Sequence, residues 1–128
     1  MNEQEYKSAV LAADKQWLEE KLFRGTDYSL TFVFEDIDYS AATFAAQLRL
    51  TPDAAGDPIV AFTVSTPTFS GGDTTVVFTL TDTQTDALPA ASETGKVLRV
   101  YGDFKITIGG LIDLHAAGAF DIIGKVTP

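Results

Sequence analysis

The clearest pattern in the chain is the alternation at Tyr28-Ser29-Leu30-Thr31-Phe32-Val33-Phe34-Glu35. Tyr28, Leu30, Phe32 and Phe34 face one way; Ser29, Thr31, Val33 and Glu35 face the other. Only a β-strand sorts side chains with a period of two, so this stretch is read as a strand with one buried face. The pattern recurs over residues 43–50, with Phe44, Ala46, Leu48 and Leu50 inward, and over 59–65, with Val60, Phe62 and Val64 inward. Residues 74–80 turn Val76, Phe78 and Leu80 inward, and 97–108 do the same with Leu98, Val100, Phe104 and Ile106. Gly102 falls on that inward register, where a missing side chain permits a bend or close packing. Gly109-Gly110 signals a tight hairpin turn, and the return strand is expected over 111–117 and 119–126, with Gly118 as a bulge between them.

Other segments punctuate the strands. Residues 51–58 and 35–40 read as polar connections, Pro67 and Gly71-Gly72 bracket a turn, and 90–96 is a loop of small residues. Residues 81–89 predict one capped helical turn: Thr81 or Asp82 accepts free amides, Leu88 plugs the core and Pro89 follows the end. Evenly spaced short strands with Gly- and Pro-rich turns imply an antiparallel β-sandwich, residues 24–128, as one domain.

Ahead of it, residues 4–22 predict an amphipathic helix. They lack Gly and Pro and are rich in Ala, Leu, Lys, Glu and Gln. Tyr6, Val10, Ala13 and Trp17 follow a four-three-four spacing, with Leu11, Leu18 and Leu22 in an adjacent row, forming a broad apolar stripe. Such a stripe needs a surface. Either the sandwich of the same chain supplies it, or a sister subunit or another protein does. The second alternative makes Tyr6, Val10, Ala13, Trp17, Leu18 and Leu22 a protein-interface face.

Composition narrows the function classes. The 128 residues are 45% hydrophobic and include one Trp, four Tyr and nine Phe, which places the chain among folded domains. The net charge of −9 repels phosphate backbones and anionic lipid surfaces, so neither nucleic acid nor membrane is expected as a partner. No run approaches the ~20 apolar residues that span a bilayer. The acidic start Met1-Asn2-Glu3-Gln4-Glu5 does not resemble a secretory signal, so synthesis in the cytoplasm is expected. The absence of cysteine removes disulfides, zinc-thiolate sites and thiol catalysis.

Catalytic constellations are not apparent. His115 stands in a strand pattern without a motif. The acids at Glu35-Asp36-Ile37-Asp38, around Asp53 and Asp57, and at Asp82 and Asp86 lie in turns, where Asp serves local hydrogen bonds. The alternating-Asp calcium loop is missing, and Ser70-Gly71-Gly72-Asp73 precedes a strand, whereas a phosphate cradle leads into a helix. No enzyme activity, metal or cofactor is expected.

The order of residues resembles a known family. Arg24-Gly25-Thr26-Asp27, an aromatic strand, and then Asp38-Tyr39-Ser40-Ala41-Ala42-Thr43-Phe44-Ala45-Ala46-Gln47-Leu48-Arg49 open the likeness. Thr81-Asp82-Thr83-Gln84-Thr85-Asp86-Ala87-Leu88-Pro89 continues it, and Tyr101-Gly102-Asp103-Phe104, Gly109-Gly110 and Val126-Thr127 close it. Together, over about residues 24–128, these are similar to the immunoglobulin-like module of tailed-phage tail-fibre and baseplate upper proteins. Ser40-Ala41-Ala42 departs from that pattern, carrying Ala where the family has the Gly of a "Leu-Thr-Gly" turn. The resemblance implies an immunoglobulin-like β-sandwich in the virion, non-catalytic, acting as an adaptor or spacer in tail, baseplate or fibre. It implies other virion proteins as partners and a homo-oligomer, trimer or larger ring. Alternatives are a capsid decoration protein and a carbohydrate-binding module using Tyr39 and Tyr101 as flat faces for sugar rings.

Overall fold

Asn2 caps the first helix by accepting the Glu5 amide at 2.8 Å, and α1 spans Glu3–Ala12. Asp14, in the left-handed region at φ 62°, turns the chain out of the helix. In the computed structural model, which describes residues 1–52, 56–89 and 97–124, the strands that follow are β1 (Gln16–Phe23), β2 (Tyr28–Phe34) and β3 (Thr43–Arg49). Next come β4 (Val60–Ala61), β5 (Thr63–Val64), β6 (Thr68–Ser70) and β7 (Asp73–Leu80). The short helix α2 (Asp82–Asp86) precedes β8 (Val97–Ile108) and β9 (Leu111–Ile123). The loop expected at 90–96, Asp53 and the Val126-Thr127 pair lie outside the described residues.

The strands form two sheets, one ordered β1-β9-β8-β3-β4 and the other β2-β7-β5, with β6 beside β7. This is the mainly-β sandwich with an N-terminal helix that the alternation predicts. Its strand order is immunoglobulin-like, with the first strand joined to the sheet that holds the last. Pairing is antiparallel apart from β1 and β9, which run parallel from Gln16↔Ala116 to Phe23↔Ile123. The core is the set of inward faces: Phe32, Phe44, Leu48, Phe62, Val76, Phe78, Leu80, Val100, Phe104, Phe120 and Ile122 pack together. Phe104 meets Phe32, Phe62 and Phe78 at 5.1–5.5 Å between ring centroids. Burial of such faces supplies the main drive for folding.

Four expectations are corrected. The helix does not run to Leu22. It ends at Ala12, and residues 16–23 are strand, with Leu22 fully buried in the core. Helix propensity in Gln-Trp-Leu-Glu-Glu-Lys-Leu is overridden by pairing along β9. The run 59–65 is not one strand. Ala61 pairs with Gln47 in the first sheet and Thr63 with Thr79 in the second, so the chain crosses between layers at buried Phe62. The second strand stops at Arg49, and Leu50 is exposed. Gly118 is not a bulge. The irregularity lies between Phe104 and Lys105, opposite His115, and Gly118 serves a close approach to Leu18.

The turn at 81–89 forms as the sequence predicts. Thr81 and Gln84 make a reciprocal capping box, Leu88 is buried, and the Thr85 hydroxyl accepts from Gly25 N–H while donating to Thr26 O.

Candidate functional site: the apolar end of the β8–β9 hairpin

Helix α1 lies on its own domain. Val10 is buried, as are Ala117 and Ala119, the small outward residues of β9 that leave room for it. Tyr6 meets Trp17 edge-to-face at 5.8 Å. Arg99 ties the helix down, bonding Glu3 at 2.6 Å, Asp121 at 2.8 Å and Glu19 at 3.0 Å. These bonds hold the Glu3 carboxyl below its ordinary range and raise the Arg99 guanidinium further. The interface face expected from the sequence is therefore not one surface. Tyr6, Val10 and Ala13 belong to α1 or its end, with Val10 turned inward, while Trp17, Leu18 and Leu22 belong to β1. The first of the two alternatives for the stripe holds for α1.

The aromatic candidates for sugar contact are also engaged. The Tyr101 hydroxyl donates to Glu3 at 3.1 Å, half-buried at the start of α1. Half-buried Tyr39 packs edge-on to Phe34 at 5.2 Å. The structure does not bring the two together: Tyr39 lies in the β2–β3 connection and Tyr101 near the middle of β8.

A different surface emerges at the end of the sandwich where β8 turns into β9. Gly109 and Gly110 take φ of 57° and 82°, conformations that suit glycine and make a two-residue turn matching the strand twist. Around it stand Leu111, 79% exposed, Ile112, 71% exposed, and the half-exposed Ile108. Scattered apolar residues are ordinary on a surface, but here Ile108 and Leu111 pair across the turn and Ile112 follows on the opposite face, so both faces of the hairpin tip are apolar. Beside the tip lies an open depression of about 270 Å³ lined by Lys15, Phe34, Ile37, Tyr39, Ile106, Leu114 and His115, with Glu35 and Asp113.

Local structure holds this end firm. Buried Thr74 accepts the Tyr39 N–H at 2.8 Å and donates to Ile37 O at 2.7 Å, fixing the β2–β3 connection. Asp36, left-handed at φ 58°, donates its N–H to Asp73, and Asp38 accepts from the Ser40 amide and hydroxyl. His115 packs on Phe34 at 4.7 Å and Phe32 at 5.1 Å between ring centroids. Burial, with Lys15 nearby, lowers its pKa and so disfavours the charged ring. Lys15 pairs with Asp113 at 3.0 Å, which lowers the Asp113 pKa. Asp38 thus serves local hydrogen bonds in a turn, as the sequence implies, and His115 packs on the aromatic core. Ser70-Gly71-Gly72-Asp73 is the β6–β7 turn. Among the described residues, no group of three or more His, Cys, Asp or Glu is placed to hold a metal ion.

Sequence reasoning missed the tip. A signal was available: Ile108-Gly109-Gly110-Leu111-Ile112 breaks the alternation with two adjacent apolar residues after the turn, and one of such a pair must face outward.

The sequence matches no protein-family model and no curated protein. The fold does have a counterpart. It is similar to the crystal structure of the CupB6 tip adhesin from Pseudomonas aeruginosa, at a TM-score of 0.50 and 10% identity. The match covers 87% of this chain and 42% of that one, so this chain corresponds to less than half of the adhesin's length. At that identity the likeness is one of fold alone.

Proposed function

We propose that this chain is a structural, non-catalytic subunit of a tailed-phage or prophage virion, an adaptor or spacer in tail, baseplate or fibre. It works by protein–protein contact. The observation that carries the contact role is the exposed apolar tip, Ile108, Leu111 and Ile112, of a hairpin braced by a packed aromatic core. The residue order shared with the phage module supports the virion setting. The occurrence of this fold in a tip adhesin supports a role in adhesion or recognition in general. Assembly into a trimer or larger ring belongs to the same reading, and a light-scattering mass tests it.

The decisive experiment is to purify tailed particles from an induced lysogen encoding the chain and probe them by mass spectrometry and immunogold labelling. The chain is expected in the particles, in several copies. Leu111→Ser with Ile112→Ser is expected to remain folded yet be missing from them. Particles complete without the chain would overturn the reading.

A further inference from the structure

The two sides of the hairpin are covered unequally. On one side β8 pairs with β9 along the whole strand, from Leu111 to Ile123. On the other, β1 covers β9 only from Ala116 onward, so residues 111–115 have no strand beside them among the described residues. Five residues make about 16 Å of open sheet edge at ~3.3 Å each. Proteins usually blunt such edges with charge, proline or a covering loop. Here the edge begins with the two most exposed large apolar side chains among the described residues, and its one acid, Asp113, is held by Lys15 at 3.0 Å. The two-residue glycine turn makes Ile108 and Leu111 the hydrogen-bonded pair. By alternation, the amide and carbonyl of Ile112 then point to the open side.

Charge narrows the occupant. Glu35, Asp36, Asp38, Asp73 and Asp113 gather at this end, while the nearest cations, Lys15 and Lys105, sit beside Asp113 and Asp103. A second copy is disfavoured. It carries the same −9 charge, and two copies pairing antiparallel about the middle of 111–115 would set Asp113 against Asp113.

We infer that this edge accepts an extended segment of a partner protein as an added strand, one that alternates apolar residues with Lys or Arg. The inference rests on the reading of the tip as a contact surface and adds the chemistry of what binds there. Main-chain bonds to Ile112 supply the pairing, the Ile112 side chain meets the apolar positions on its face of the sheet, and the basic positions fall on the opposite face, which carries Asp113 beside the acidic rim.

The test titrates the ¹⁵N-labelled chain with the capped peptide Lys-Val-Lys-Val-Lys-Val, its Glu-for-Lys counterpart, and a copy N-methylated at alternate amides. The basic peptide should shift the amides of residues 111–115 and slow hydrogen exchange at Ile112 at least tenfold, with weaker binding in high salt. The acidic peptide should bind at least tenfold more weakly, and the N-methylated one should give no exchange protection. Ile112→Pro, checked for an unchanged fold, should abolish the response. The N-methylated peptide makes the same point without altering the protein. Response of the Leu111 and Ile112 methyls without amide protection would overturn strand addition while leaving the tip as a docking patch. Shifts centred elsewhere, equal binding of the acidic peptide, or no response at low-millimolar peptide would overturn the inference, and the particle experiment would then judge the wider reading separately.

Discussion

Gly118→Ala tests the strand that the sequence pattern concealed. A Cβ at this position would fall on the Leu18 carbonyl oxygen and lie 2.7 Å from Leu18 Cβ and 2.9 Å from Leu18 C. Carbon atoms in contact prefer about 3.5–4.0 Å, so β1 and β9 would have to part by roughly 1 Å. The obstruction is mainly backbone, held in the parallel ladder Leu18↔Gly118, and cannot swing aside. Overpacking costs about 1–3 kcal/mol, and a clash with a paired backbone belongs at the upper end, about 3 kcal/mol. In a domain of this size that lowers the melting temperature by about 10–15 °C. Gly102→Ala is the internal control. Its Cβ would meet Phe120 Cε1 at 2.8 Å and Leu48 Cδ2 at 2.9 Å, the far ends of side chains that can rotate. We expect about 1–2 kcal/mol there. Thermal and urea unfolding followed by circular dichroism and by the fluorescence of Trp17, which sits on β1 beside Leu18, would measure both. A Gly118→Ala protein as stable as the parent would refute the β1–β9 pairing, because a helix through 16–23 places nothing against Gly118.

Three further outcomes follow from the geometry. Thr85→Val keeps the shape but strands the Gly25 N–H and the Thr26 carbonyl, so it should cost about 2–3 kcal/mol in urea unfolding. His115 has a pKa below its ordinary value of about 6.5. The unfolded chain takes up the proton first, so stability is full above that pH and falls as the pH drops through the lower folded value. His115→Gln should flatten the melting curve against pH below about 6.5. Glu3, held low chiefly by its hydrogen bond from Arg99, contributes only above the ordinary carboxylate range of about 4.3 and loses that contribution as the pH falls through its depressed folded value. Helix α1 should therefore become protease-sensitive in acid before the sandwich unfolds, and Arg99→Met should show the same sensitivity at neutral pH.

The sheets were legible where local pattern and tertiary burial agree. In β7, every second residue from Thr74 to Leu80 is buried, and Thr81 with Gln84 caps the next turn by purely local bonds. Strand β8 has the bounds that its alternation predicts. The pattern failed where a long-range contact decides. In β1, Glu20 interrupts the inward row of Leu18 and Leu22, and only the fold shows why it is tolerated: the Tyr28 hydroxyl donates to it at 2.6 Å. Burial, together with that bond, pushes the Tyr28 phenol well above its ordinary pKa. Without that partner in view, Gln-Trp-Leu-Glu-Glu-Lys-Leu looks helical. The site was hidden for a related reason. Leu111 and Ile112 fit a strand, and nothing local shows that β1 stops short of them.

The role of the hairpin end as a contact surface is tested most directly by its chemical accessibility in the assembled particle. The chain has no cysteine, so Leu111→Cys supplies a single thiol at the tip, and Lys21→Cys on the exposed side of β1 serves as a control. Both should react with a maleimide at once in the free protein. In the particle, labelling at 111 should be suppressed while labelling at 21 persists. Equal labelling at 111 in the free and assembled protein would contradict the account.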